Sequence, residues 1–186
     1  MMMVNLPQTY LLGLCFLLVI ISILVGRQLY KVRKDEMKLL KLEKEDSNTQ
    51  EDSAKMYELA SVQLKKRLYP QATSTLKQAL KKLDGEPEEA KALIENALGF
   101  ALAAQNDFKS AVIHYKKALT AKADYPVALN NLGFAYQRLL KEDEAYKNYQ
   151  EVLKLDPSNK TAISQIKRLE RIVGKDKDQL LNKKGF

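Results

Sequence analysis

Residues 96–118 read NALGFALAAQNDFKSAVIHYKKA, and residues 130–152 read NNLGFAYQRLLKEDEAYKNYQEV. Both stretches place similar residues at the same distances from a glycine, Gly99 in the first and Gly133 in the second. At the same distances after each glycine lie an alanine and then a tyrosine. These are Ala111 and Tyr115 after the first glycine, and Ala145 and Tyr149 after the second; such equivalent positions are called slots below. A period of about 34 residues predicts a stack of helical hairpins, an all-α solenoid.

A third, weaker copy lies upstream and strengthens the assignment. It has Ala60 in the glycine slot and Leu76 in the aromatic slot, and the interval from Ala60 to Gly99 is longer than that from Gly99 to Gly133. The period and the slot residues resemble the tetratricopeptide repeat, in which each unit is a pair of antiparallel helices. We expect Gly99 and Gly133 where two helices approach closely, because a side chain there would overpack the core. Such an array implies a scaffold that docks peptides and has no chemistry of its own.

The N-terminal segment predicts a membrane anchor. Residues 1–26 carry no charge, and residues 9–26 form an apolar run, about 27 Å of helix. A secretory signal peptide would carry its positive charge before such a run. Here Arg27, Lys31, Arg33 and Lys34 follow it, so residues 27–186 are expected on the cytoplasmic or stromal side.

The predicted organisation is one transmembrane helix followed by three repeats and a capping helix. A solenoid needs such a polar-backed cap to end its core. The predicted helix pairs are 51–66 with 70–83, 88–104 with 108–121, and 126–139 with 142–154. The segments are a short N-terminal segment (1–8), the transmembrane helix (9–26), a charged helical linker (27–52), repeat 1 (53–86), repeat 2 (92–125), repeat 3 (126–159), the capping helix (160–173) and a loose tail (174–186).

Composition argues against catalysis, metals and nucleic acid. The chain has one cysteine, Cys15, and one histidine, His114, too few for a disulfide, a zinc site or a catalytic triad. We therefore expect no enzyme activity, no cofactor and no small-molecule substrate, and a surface position for His114. The net charge of +8 suits an acidic partner or an anionic membrane surface. Its cations are mostly lysines, whereas nucleic-acid readers favour arginine.

The first helices of the repeats are expected to line a concave groove that binds protein partners. Asparagine side chains can hold a peptide backbone, and phenylalanines offer apolar contact. A chaperone-tail clamp would need lysine at Tyr57, asparagine at Ser61 and lysine at Val127, so that role is disfavoured. The predicted groove residues are Tyr57, Ser61, Lys65, Asn96, Phe100, Asn130, Phe134, Gln137 and Arg138.

The order of these features resembles one family across about residues 9–173. The anchor ending Gly26-Arg27-Gln28-Leu29, the turn Leu68-Tyr69-Pro70-Gln71-Ala72, and the repeats are similar to the tetratricopeptide photosystem I assembly protein of cyanobacteria and red-algal plastids. The resemblance implies a thylakoid protein whose partners are photosystem I subunits or other assembly factors. The residues alone leave open an anchored import receptor, or a bacterial scaffold for secretion or cytochrome maturation.

Overall fold

A computed structural model of the chain describes residues 6–46, 52–83 and 85–184. The chain divides into two compact units, Met1–Asn48 and Thr49–Phe186. The described part is built from helices, α1 in the first unit and α2–α8 in the second. Their bounds are α1 Leu6–Asp46, α2 Ser53–Lys65, α3 Tyr69–Lys81, α4 Glu88–Ala104, α5 Phe108–Ala121, α6 Pro126–Arg138, α7 Glu142–Leu155 and α8 Lys160–Lys184.

Helix α1 is continuous from the apolar run into the charged linker. It spans 41 residues and begins one turn before the predicted start of the transmembrane segment. Its apolar side chains are exposed within the unit, as at Phe16 and Leu24. In the described part of the chain, α1 is the helix that is long and apolar enough to cross a membrane, by length and composition. Residues 47–51 of the predicted linker lie outside the described residues.

Helices α2–α7 form three antiparallel pairs, and the predicted all-α repeat fold is confirmed. The observed ends lie within two residues of the predicted ones throughout these six helices. The predicted boundary between a capping helix and a tail at residue 173 was wrong, because α8 continues to Lys184. Residues 174–184 hold one glycine and no proline; a lone glycine lowers helix stability by about 1 kcal/mol without ending the helix.

The turn inside each pair uses the same backbone conformation. Arg67, Asn106 and Leu140 have φ of 61°, 66° and 59°, in the left-handed region that side chains other than asparagine rarely adopt. The next helix then starts at once. Asp107 caps α5, since its Oδ1 accepts a hydrogen bond from the Ser110 backbone N–H at 3.1 Å, and hydrogen bonds from Ser110 lower the pKa of this carboxyl.

The core repeats one contact, a tyrosine ring laid on a glycine of the facing helix. A Cβ atom added at Gly99 would stand 2.7 Å from Cδ1 and Cε1 of Tyr115, and one added at Gly133 would stand 2.9 Å from Cε1 and Cζ of Tyr149. Both rings are buried. Within repeat 2 and within repeat 3, the glycine therefore leaves room for a tyrosine ring between the two packed helices. In the first repeat, the smaller Leu76 occupies the tyrosine slot and Ala60 the glycine slot, and both are fully buried.

Candidate peptide-binding groove

The first helices of successive repeats lie side by side. Helix α2 packs against α4, and α4 packs against α6. An amide hydrogen bond extends the row to α8, because Gln137 Nε2 donates to Gln165 Oε1 at 3.2 Å. The face that these helices share is called the groove below. The predicted groove residues all stand on α2, α4 or α6.

Four exposed apolar side chains repeat along the groove. Phe100 and Phe134 were predicted there, and they are 44% and 46% exposed. Each is preceded, two turns earlier on the same helix face, by another exposed apolar residue. These are Leu93 on α4 and Val127 on α6, which are 42% and 54% exposed. We call Leu93, Phe100, Val127 and Phe134 the apolar row; its members on α6 recur one repeat period after those on α4. Leu93 and Val127 were not among the predicted groove residues. Their matching positions, two turns before Phe100 and Phe134, are the signal that could have identified them.

The groove asparagines join neighbouring repeats. Asn96 Nδ2 donates to the Tyr125 hydroxyl at 3.3 Å, and Asn96 Oδ1 accepts from Asn131 Nδ2 at 3.0 Å. Burial and the nearby Tyr57 hydroxyl raise the pKa of Tyr125, and the bond from Asn96 lowers it. These contacts show that Asn96 helps fix the spacing of repeats 2 and 3.

Asn130 of α6 bonds in a similar way to Asn159, the residue just before α8. Its Nδ2 donates to Asn159 Oδ1 at 3.2 Å, and that oxygen also accepts from the Ala162 backbone N–H at 3.1 Å. Asn130 Oδ1 is buried and has no hydrogen-bond partner among the described residues. A buried carbonyl oxygen without a hydrogen-bond partner is unfavourable, so this atom carries an energetic cost in the fold.

Aromatic and cationic groups meet at the C-terminal end of α6. The Phe108 ring of α5 lies edge-on to Phe134, with ring centroids 6.2 Å apart. The Arg138 guanidinium lies over the Phe108 ring, its Cζ 4.9 Å from the centroid. Gln137 accepts a hydrogen bond from the Tyr149 hydroxyl at 2.9 Å. Burial raises the pKa of Tyr149, and the charge of Arg168 opposes this rise.

The first repeat contributes less to the groove. Tyr57 is half-buried against the core, and the Ser61 hydroxyl donates to the Tyr57 carbonyl oxygen at 2.7 Å, within α2. Lys65 is exposed in the last turn of α2. None of these three residues offers an exposed aromatic surface comparable with that of Phe100. The exposed apolar surface of the groove therefore lies on α4 and α6.

A glutamate–histidine contact lies behind the groove and was missed in the sequence. Glu95 of α4 and His114 of α5 approach to 2.6 Å between Oε2 and Nδ1, with 6% and 17% of their side chains exposed. The expectation of a surface histidine was therefore wrong. Glu95 occupies the slot held by buried Met56 and Leu129 in the other repeats. A carboxylate in an otherwise apolar slot requires a partner, and this is the signal that could have revealed the pair. Within the described ranges, no cluster of histidine, cysteine and acidic residues could hold a metal ion.

Comparison with known proteins places the repeats in a recognised class. The tetratricopeptide repeat family model matches residues 126–159, and a related repeat model matches residues 99–139. The uncharacterised protein ycf37 of Cyanophora paradoxa is 32% identical over 156 residues, which is 84% of this chain and 90% of the relative. The ycf37 protein of Guillardia theta is 29% identical, over 88% of this chain and 92% of the relative.

A third relative is longer than this chain. It is the tetratricopeptide repeat domain-containing protein PYG7, chloroplastic, of Arabidopsis thaliana, which is 30% identical over 85% of this chain and 52% of the relative. Among solved structures, MamA aligns over 77% of this chain and 81% of its own with a TM-score of 0.70 at 18% identity. The second repeat domain of human RPAP3, solved with an HSP70 peptide, aligns over 62% of this chain and 92% of its own with a TM-score of 0.57 at 23% identity. These two likenesses establish the fold.

Proposed function

Since the chain belongs to the ycf37 family of tetratricopeptide-repeat proteins, we propose that it is a membrane-anchored scaffold that binds protein partners during photosystem I assembly. The matching family models are repeat models, and tetratricopeptide arrays bind proteins rather than transform substrates. Its relatives include a chloroplast protein, which supports a plastid or cyanobacterial location.

The apolar row is the observation that supports binding. Leu93, Phe100, Val127 and Phe134 each leave about two fifths or more of their surface to solvent. Isolated exposed apolar residues are common on soluble proteins, but a row that follows the repeat period along one face is typical of a docking surface. Arg138, beside the row, adds a polar contact that orients a bound segment.

The anchor sets where the scaffold works. We propose a single pass by the apolar part of α1 across the thylakoid membrane, with the repeats on the stromal or cytoplasmic side. The supporting observations are the length and apolar character of α1 and the four cations that follow its apolar run. Confinement at the membrane raises the effective concentration of membrane-bound partners, so a weak groove is sufficient.

Topology is tested by adding protease to sealed thylakoids whose stromal face is outward. The repeats should be digested, while a lumenal marker protein stays intact. Detergent added before the protease should then expose the lumenal marker as well. Complete protection of the repeats in sealed thylakoids would show the opposite orientation.

The assembly role is tested by deleting the gene and measuring photosystem I relative to photosystem II. The ratio should fall, and strong light should enlarge the deficit, because replacement of damaged complexes then requires more assembly. Complementation with the wild-type gene should restore the ratio. A variant in which both Phe100 and Phe134 are alanine should restore it poorly, whereas Ile113→Ala, an exposed apolar residue of α5, should restore it fully. A normal ratio in the deletion strain under both light regimes contradicts the assembly role.

A further inference from the structure

Two arginines stand at one end of the groove, on α6 and α8. In the repeat register, the slot of Phe100 and Phe134 is occupied one period later by Arg168, and Arg138 follows Gln137 on α6. On α4, the acidic residue nearest in sequence to Phe100 is Glu95, which is buried and paired with His114. The chain as a whole carries a net charge of +8. We call Arg138 and Arg168 the arginine end of the groove.

In the described part of the chain, Arg138 is held in place by an aromatic ring rather than by a carboxylate. Its guanidinium stacks over Phe108, at 4.9 Å from Cζ to the ring centroid, and Phe108 in turn meets Phe134 of the apolar row. Arg138 is exposed. Stacking of this kind fixes the plane of a guanidinium and leaves its N–H groups available, which suits bidentate binding of a carboxylate.

Arg168 faces the same end from α8. Its charge acts on the Tyr149 hydroxyl, which donates to Gln137 at 2.9 Å, and Gln137 also bonds Gln165 of α8. Arg168 is exposed. Arg138 thus stacks on the ring that meets Phe134, and the charge of Arg168 acts on the tyrosine that bonds Gln137, the neighbour of Arg138 in the chain.

We propose that the arginine end binds carboxylate side chains of an acidic peptide segment of the partner, while apolar side chains of the same segment pack on the apolar row. This inference rests on the proposed protein-binding function and names the chemistry of its partner. Charge complementarity selects an acidic polypeptide over a second copy of this chain, because two copies of net charge +8 repel each other. The adjoining phenylalanines select a peptide over a lipid headgroup, which would leave the apolar row uncovered.

The test uses the full chain in nonionic detergent and two short synthetic peptides labelled with fluorescein. One peptide carries leucine and phenylalanine followed by several glutamates, and the other has glutamine in place of each glutamate. Fluorescence anisotropy measures the dissociation constant of each. The acidic peptide should bind about tenfold more tightly, and added salt should remove most of that difference, because screening weakens ion pairs at the surface.

Variants locate the contact. Arg138→Gln with Arg168→Gln should weaken binding of the acidic peptide about tenfold and leave binding of the glutamine peptide unchanged. The matched control is Lys117→Gln with Lys147→Gln, which removes the same charge from exposed positions on α5 and α7 and should have no such effect. Phe100→Ala with Phe134→Ala should weaken both peptides. Circular dichroism establishes that each variant is folded. The comparison of the two peptides is made on the wild-type chain, so this part of the test does not depend on any variant.

Several results overturn the inference. These are equal affinity of the wild-type chain for the two peptides, no binding of either, or equal loss in the arginine pair and the lysine control. Displacement of the acidic peptide by mixed micelles of the detergent with an anionic phospholipid, but not by mixed micelles with an uncharged phospholipid, would assign the arginine end to lipid instead. A dimer that the arginine variant abolishes would assign it to a second copy. A deletion strain with normal photosystem I, together with selective acidic-peptide binding, would contradict the assembly role while leaving this inference intact.

Discussion

Substituting alanine for Gly133 tests the contact on which the repeat fold depends. The new Cβ would lie 2.9 Å from Cε1 and Cζ and 3.2 Å from Cδ1 of Tyr149. Carbon atoms in ordinary contact are about 3.5–4.0 Å apart, so the ring must recede by roughly 0.6 Å or more. It is poorly free to do so, because Tyr149 is 1% exposed and its hydroxyl is bonded to Gln137.

The magnitude follows from two opposing effects. Overpacking a core destabilises by about 1–3 kcal/mol, and replacing glycine by alanine inside a helix stabilises by about 1 kcal/mol. We expect Gly133→Ala to lower the free energy of unfolding by about 1 kcal/mol. Gly99→Ala should lower it further, because its closest approach to Tyr115 is 2.7 Å.

The first repeat supplies the compensating substitution. There Ala60 stands in the glycine slot and Leu76 in the tyrosine slot, both fully buried. Tyr149→Leu alone should lower the free energy of unfolding by about 2–4 kcal/mol through lost volume and the lost bond to Gln137. In the double variant the alanine methyl faces a smaller leucine. We therefore expect the double variant to be more stable than the sum of the single effects by about 1–2 kcal/mol.

The cycle is measured by urea unfolding of the full chain in nonionic detergent, followed by far-ultraviolet circular dichroism. The four proteins are wild type, the two single variants and the double variant. Additivity within about 0.5 kcal/mol would refute the contact. So would a Gly133→Ala variant that gains the whole helix-propensity increment, because the added methyl group would then meet no obstacle.

Three further predictions use the same unfolding assay. Asp107→Ala should lower the free energy of unfolding by about 0.5–2 kcal/mol through loss of the α5 cap. Because the folded-state pKa of Asp107 is lowered, the stabilisation by this carboxylate is present above the unfolded pKa near 4 and is lost as pH falls through the folded pKa. An Asp107→Asn variant that kept the same acid dependence would contradict this assignment. His114→Leu should lower the free energy of unfolding by about 3 kcal/mol, because buried Glu95 loses its partner. Adding Glu95→Leu should recover most of that loss, and equal stability of the single and double variants would argue against the Glu95–His114 contact. Leu140→Asn should raise the free energy of unfolding by about 1 kcal/mol, since Leu140 is 87% exposed and has φ 59°, a conformation that asparagine adopts more readily. An unchanged or lower urea midpoint of unfolding would count against backbone strain at this turn.

The helix pairs were predictable because their determinants are local and periodic. The slots of Gly99, Ala111 and Tyr115 recur one repeat period later with the same residue types, so one hairpin geometry serves both repeats. The length of α8 was not predictable in this way. Gly174 follows the last periodic apolar residues, a position at which glycine often ends a helix, yet α8 continues through it to Lys184.

The sequence register could assign the predicted groove residues to one row of helices, but it could not assign a role to each of them. Register places Asn96, Phe100, Asn130 and Phe134 on one face, but register does not say whether an asparagine bonds to a neighbouring repeat or remains available to a peptide. That distinction depends on partners far away in sequence, such as Tyr125 for Asn96 and Asn159 for Asn130. His114 illustrates the same limit, since its partner Glu95 is 19 residues away on another helix.

We therefore expect the amides and the aromatic residues to contribute to the proposed binding in different ways. Asn96 already bonds Asn131 of the next repeat, and Asn130 and Gln137 bond the start and the body of the α8 segment. Replacing these amides should therefore change the spacing of the groove. Phe100 and Phe134 keep a large exposed surface, so replacing them removes contact area with a partner. A groove whose spacing is fixed before binding loses less conformational entropy when a peptide docks. If the proposed function holds, we expect the inter-repeat amides to increase affinity without touching the peptide, and the exposed phenylalanines and arginines to determine which peptide is bound.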